Sequence, residues 1–268
     1  MSITFSTCYY SIKSKFNDDI YYKWMTNLLT NVQNFNLVVY TDEQNYEKIK
    51  LIINDNSKIK LILKPLANFY NYKYKENWIK NQENNSYLNF ISWELQMLWA
   101  EKINFVFETI NNEYFKTDFF GWLDIGYFRC RHNDINENDI RQWSNIEKIK
   151  LLDITKIYYA NVNNDIDFFN YLYSIVNNKN EFGLPNIIIP HSQNTISGGF
   201  FITHKNNINW WKDTFDNKLK LYFEYNYLVK DDQIILVDCI LSNIDKFEIC
   251  YENNIKYDNW FMFQRILL

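Results

Sequence analysis

The chain has 268 residues, 47% of them hydrophobic, with 21 Tyr, 21 Phe and 9 Trp; this is ample material for a core and reads as one domain. Only 5 Gly and 3 Pro punctuate it, which argues against a repetitive or loop-rich architecture. With 28 basic and 32 acidic side chains the formal net charge is −4 and no basic stripe stands out, so the sequence does not read as a nucleic-acid binder.

The first residues, MSITFSTCYY, enter an apolar segment without a basic n-region. No run approaches the roughly 18–20 apolar residues that span a bilayer, so no transmembrane segment is expected. Cys8, Cys130, Cys239 and Cys250 are scattered without CxxC spacing, which argues against a zinc site or a disulfide framework. The expectation is a soluble, cytoplasmic protein.

In chain order, residues 3–9 (ITFSTCY) predict a strand and 20–31 a helix. A short strand over 36–41 (NLVVYT) ends at Asp42, and 58–66 predict another. The stretch 67–87 is polar, aromatic and irregular or partly helical. Residues 90–110 give the clearest helix, with Leu95, Leu98, Trp99, Ile103 and Val106 on one face. The strand FFGWLDIG (119–126) follows. This alternation implies βαβ units and a mostly parallel sheet, in which ligands bind beyond the carboxyl ends of the strands. Thr7 to Tyr10, Asp42 and Asp124 fall at or near such ends. In the second half, 165–178 predict a helix and 187–190 lead into a loop with Pro190 and His191. A strand is expected over 195–203 (TISGGFFIT), helices over 207–225 and 231–243, and strands over 247–252 and 260–268.

Three stretches could carry chemistry. Asp124 lies in an apolar run, where an unpaired carboxylate is costly. Either it caps a helix or pairs with Arg129 or Arg131, or it waits for a ligand. Gly126, two residues on, would let a bulky charged group approach, and a divalent cation with a diphosphate suits one carboxylate. The pair Gly198–Gly199 in ISGGFF marks either a packing bend or a place where ligand meets backbone. In KDDQ (230–233), helix capping explains one Asp, but Asp231, Asp232 and Gln233 together leave a side chain free to face a cleft. Lys102 adjoins the apolar face of its helix and could reach a phosphate. His132, His191 and His204 show no HExxH spacing, and His204 follows the glycine pair closely enough to approach a metal.

In order, FSTCYY (5–10), NLVVYTD (36–42), SWELQMLWAEK (92–102), FFGWLDIGYFR (119–129), ISGGFF (196–201), KDDQ (230–233) and WFMFQRILL (260–268) resemble the HtrL/YibB-like family, placed among glycosyltransferases of the GT-A fold. The resemblance spans nearly the whole chain. It implies a GT-A-like (Rossmann-like) α/β/α sandwich, with residues 1–130 as the nucleotide-binding half and 131–268 as the sugar and acceptor half. It places Thr7, Tyr9 and Asp42 near base and ribose. Asp124-Ile125-Gly126 stands where such enzymes carry a metal-binding DxD motif, with Gly126 in place of the second Asp. Mn²⁺ or Mg²⁺ would sit at Asp124, with His204 as an optional second ligand. Gly198 and Gly199 would line the sugar or acceptor cleft, and Asp232 with Gln233 would face the anomeric centre. After GGFF the family pattern continues in small residues, whereas this chain has Ile202, Thr203 and His204.

The implied activity is transfer of a hexose from a nucleotide sugar, UDP-linked by expectation, to a glycan, lipid-linked sugar or protein acceptor. A cation at Asp124, with Lys102 or Arg129, would stabilise the departing diphosphate, and Asp231 or Asp232 would take the acceptor proton. The alternative is a non-catalytic nucleotide- or carbohydrate-binding protein on the same fold.

Overall fold

The computed structural model describes residues 2–268. Its framework is a seven-stranded sheet in the order β3-β2-β1-β4-β6-β5-β7. The strands are β1 (Ile3–Tyr9), β2 (Asn36–Thr41), β3 (Ile59–Leu63), β4 (Phe119–Leu123), β5 (Ile157–Ala160), β6 (Phe200–His204) and β7 (Phe247–Cys250). Strands β1 to β4 pair in parallel, as do β5 and β7. Only β6 runs against both its neighbours.

The sheet is covered on both faces, so its strands are apolar on both sides. Helices α3 (Lys75–Glu83), α4 (Trp93–Asn111), α7 (Ile166–Asn177), α8 (Ile208–Glu224) and α9 (Asp232–Ser242) close one core with Val38, Tyr40, Phe120 and Trp122. Helices α1 (Asp18–Leu29), α2 (Glu43–Ile53), α5 (Glu137–Gln142), α6 (Ile146–Lys150) and α10 (Phe263–Ile266) close the other with Phe5, Leu37, Val39 and Leu123. Gly121 is required where these layers meet: a Cβ there would stand 2.3 Å from the Phe201 carbonyl oxygen and 2.9 Å from the Phe5 ring.

Most expected elements are present within a few residues. Three differ. The expected strand over 195–203 forms only from Phe200, because Ser197 to Gly199 leave the ladder. The run 260–268 is a turn followed by α10, held by Gln264 donating to the Tyr127 carbonyl (2.6 Å) and by Trp143 donating to the Phe263 carbonyl (3.0 Å). A short apolar run buried all round has no period that separates strand from helix. Strand β5 and helices α2, α5 and α6 have no counterpart among the expectations; β5, at four residues, is too short to show a period. Among the described residues no helix is long and apolar enough to cross a membrane.

Candidate active site

The chain leaves β1 for β2 on one side while β4 lies on the other, so the carboxyl ends of β1 and β4 form a crevice of the kind that binds ligands in α/β sheets. A cavity of about 540 Å³ opens there, lined by Asp124, Lys102, Gly198, Gly199, Asp231, Asp232 and Gln233 among others. A smaller recess of about 110 Å³, lined by Tyr9, Tyr10, Asp18, Tyr21, Trp99 and Trp122, adjoins it through shared walls at Asp124, Gly126 and Arg129.

Asp124 is the first residue beyond β4. Its amide donates to the Gly199 carbonyl (2.9 Å) and its carbonyl accepts from the Tyr127 amide (2.8 Å), which fixes a tight turn. Its Oδ1 accepts from the Trp122 indole at 2.7 Å and meets the Lys102 ammonium at 3.2 Å. Asp124 is therefore not paired with Arg129 or Arg131. Arg131 instead pairs with Asp134 and Asp258.

Helix α4 is buried nearly all round, with Leu95, Ile103 and Val106 under the surface and Lys102 among them. The Lys102 ammonium reaches Asp124 Oδ1 (3.2 Å), Asp232 Oδ2 (3.2 Å) and the Gly198 carbonyl (2.8 Å). An ammonium has three donors, and all three are used within the protein. Lys102, expected to reach a phosphate, here binds the two carboxylates together. Burial alone would lower its pKa, but Asp124 and Asp232 hold it well above the usual lysine value. Burial raises the Asp232 carboxyl to about 6, against the pull of Lys102, with Asp231 and Asp124 adding to the rise.

Gly198 has no room for a side chain, since a Cβ would lie 2.5 Å from Asp232 Oδ2. Gly199 faces Asp124 in the same way, with Oδ2 at 3.2 Å from such a Cβ. The glycine pair thus lets both carboxylates approach the backbone. Capping does not account for Asp232 or Gln233. Asp231 occupies the N-cap position of α9 without a side-chain capping bond, and Gln233 donates to the Ile196 carbonyl (2.6 Å).

Gly126 lies against Trp24, whose ring would be 2.7 Å from a Cβ there. Beyond it, Arg129 donates through Nε to the Gly126 carbonyl (3.0 Å), and its guanidinium lies 4.1 Å from the Trp24 ring centre and 4.9 Å from that of Phe261. The ion-paired arginines of the described residues are Arg131 and Arg265, so Arg129 brings a charge and unused N–H donors to both cavities.

Three expected site residues are placed elsewhere. His204 closes β6 opposite Phe119, the start of β4, whereas Asp124 follows the other end of that strand. Its ring packs edge-on to Phe119 and its Nδ1 accepts from the Asn206 amide at 3.3 Å. The antiparallel course of β6 carries it away from Asp124, so the two are not brought together as metal ligands. Asp42 caps α2, accepting from the amide and side chain of Asn45 at 3.0 and 2.8 Å. Thr7 is fully buried and lines neither cavity, while Tyr9 lines the recess. Lys230, Gln193 and Trp99 line the cavity without having been singled out as site residues. Trp99 had announced itself only as part of an apolar face.

Among the described residues no group of three or more His, Cys, Asp or Glu converges as a metal site. Asp124 Oδ2 is the carboxylate oxygen left free by Trp122 and Lys102. One free oxygen on a half-exposed side chain fits a Mg²⁺ or Mn²⁺ ion that brings diphosphate oxygens as its other ligands, not one held by the protein alone.

The architecture and the crevice define a GT-A-like fold. Mouse xyloside xylosyltransferase 1, in its apo form, is similar in structure, with a TM-score of 0.51 and 12% identity over 93% of this chain and 85% of that one. The chain itself belongs to the family described as a bacterial protein of unknown function (HtrL_YibB), which it matches over residues 9–267. The resemblance read from the ordered motifs is thereby borne out. A 4-diphosphocytidyl-2C-methyl-D-erythritol synthase from Anaerococcus prevotii aligns more loosely, with a TM-score of 0.42 and 9% identity over 96% of this chain and 88% of that one. No curated protein matches the chain in sequence.

Proposed function

We propose that the protein is a glycosyltransferase that moves a hexose from a nucleotide sugar, UDP-linked, to a hydroxyl of a glycan, lipid-linked sugar or protein. The observation that carries this is the joining of Asp124 and Asp232 by one buried ammonium beneath a cavity at the β1/β4 crevice. The nucleoside lies toward the recess lined by Tyr9, Tyr21 and Trp99, and the diphosphate lies between Asp124 and Arg129. The sugar points toward Asp232. Four unpaired cysteines suit a reducing compartment, in keeping with a cytoplasmic enzyme.

In the reaction, the bond between the anomeric carbon and the diphosphate oxygen breaks as the acceptor oxygen bonds to that carbon. Asp232, raised toward neutrality, takes the acceptor proton. Arg129 offers N–H donors to the oxygens on which negative charge builds. A Mn²⁺ or Mg²⁺ ion, held by Asp124 Oδ2, would supply further charge neutralisation to the diphosphate.

Thermal melts with a panel of nucleotide sugars, with and without Mn²⁺, test the proposal, because a specific ligand stabilises the fold. A shift with one of them, together with its slow hydrolysis, is expected. Asp124→Ala should abolish turnover while leaving the melt cooperative. Binding without any product over long incubation would favour the non-catalytic alternative, and no binding at all would sink both.

A further inference from the structure

Trp78, Trp122, Trp143 and Trp211 are fully buried, and each indole N–H has an acceptor, as burial requires. Trp78 donates to the Asn71 carbonyl (3.3 Å), Trp143 to the Phe263 carbonyl (3.0 Å) and Trp211 to the Tyr159 hydroxyl (3.1 Å). Trp122 alone of the four donates to a carboxylate, and its bond to Asp124 Oδ1, at 2.7 Å, is the shortest. The two residues stand at i and i+2 at the end of β4, a spacing that sets their side chains on one face.

The indole has no freedom of its own. It stacks on Phe105 of α4, with ring centres 5.7 Å apart and planes at 17°, and β4 is flanked by β1 and β6. Asp124 follows the strand, and its side chain is 44% exposed. A carboxylate so placed would ordinarily turn about its side-chain bonds. Here Oδ1 is pinned by a fixed, directional donor, and the Lys102 ammonium at 3.2 Å meets the same oxygen. Oδ2 is left for a ligand. An indole carries a single N–H and accepts nothing, so it holds the carboxylate without competing for a cation.

We propose that Trp122 is the positioning residue of the metal–diphosphate site: its N–H orients Asp124 so that a divalent cation meets Oδ2 alone. The proposal rests on the glycosyltransferase reading. A single carboxylate oxygen suits the octahedral shell of Mg²⁺ or Mn²⁺, whose other places go to diphosphate oxygens and water. Trp122 acts through Asp124, as the partners behind metal ligands generally do.

Calorimetric titration with UDP and GDP, each in Mn²⁺ and in EDTA, compares the wild type with Trp122→Phe. Mn²⁺ is expected to tighten binding of one nucleotide to the wild type. Trp122→Phe keeps a ring against Phe105 but has no N–H to donate. The Mn²⁺ enhancement should then fall about tenfold or more, with binding in EDTA changed less than about twofold. The EDTA arm is the control for packing, because Trp122 also lines the recess proposed for the nucleoside. Electron paramagnetic resonance of free Mn²⁺ in the same mixtures should show the matching loss of bound metal. Trp122→benzothienylalanine, with the indole's shape and a sulfur in place of its N–H, carries the test should Trp122→Phe fail to fold. An unchanged enhancement, or equal losses with and without metal, would overturn the positioning role and leave the glycosyltransferase reading in place. So would a wild type that binds nucleotide equally well in Mn²⁺ and in EDTA. If neither nucleotide binds, the broader reading falls and the positioning role with it.

Discussion

The ammonium of Lys102 lies 3.2 Å from Asp232 Oδ2, and both side chains are almost wholly out of solvent. Asp124 shares the same ammonium from the cavity side. Removing one partner of a buried ion pair strands the other's charge, which typically costs about 3–5 kcal/mol. Lys102→Met should therefore destabilise the fold by about that amount in urea denaturation. Adding Asp232→Asn should recover part of the loss, because the stranded charge is then gone. If the double variant is no more stable than the single one, the pair does not act as a unit.

The position of Asp232 also predicts opposite pH trends for activity and stability. Its carboxyl titrates at about 6 in the folded protein against an ordinary value of 3.8. As the acceptor base it must be ionised, so kcat/KM should fall as pH drops through about 6. For stability the sign reverses. A folded-state pKa above the unfolded one contributes stability fully below about 4, which is lost as pH rises through about 6. Asp232→Asn should flatten the stability profile across that window, measured by chemical denaturation at a series of pH values.

Gly198→Ala tests the close approach of backbone and carboxylate. The new Cβ would stand 2.5 Å from Asp232 Oδ2, so the carboxylate must turn away and its contact with Lys102 must break. Overpacking of this kind costs about 1–3 kcal/mol. Activity should fall by far more than the melting temperature suggests. Unchanged turnover would show that the Asp232 position is not critical to catalysis.

Arg129→Ala should weaken binding of the bare nucleoside diphosphate by about tenfold or more and make that binding less sensitive to salt. Stability should fall by only about 1–2 kcal/mol, from the lost contacts with Trp24 and Phe261. Arg129→Lys should not restore binding, because an ammonium lacks the planar face that stacks on Trp24. Titration calorimetry at two ionic strengths gives both readouts.

The sequence by itself determined the parallel half of the sheet, because β1, β2, β3 and α4 carry apolar patterns of sufficient length and their order leaves a crevice beyond β1 and β4. It also marked Asp124, the glycine pair and Asp232 as anomalies, since a carboxylate in an apolar run or paired glycines in a strand violate local rules. Tertiary structure alone decided how those anomalies meet. Periodicity along one chain carries no information about the direction of a strand laid beside β4. The antiparallel course of β6 is what sets Gly198 and Gly199 against Asp232 and Asp124 and sends His204 to the far end. Likewise, Lys102 looks like a surface lysine beside an apolar stripe. Only the packing of α4 under both β4 and α9 buries it, and only the two carboxylates waiting there make a charge at that depth stable.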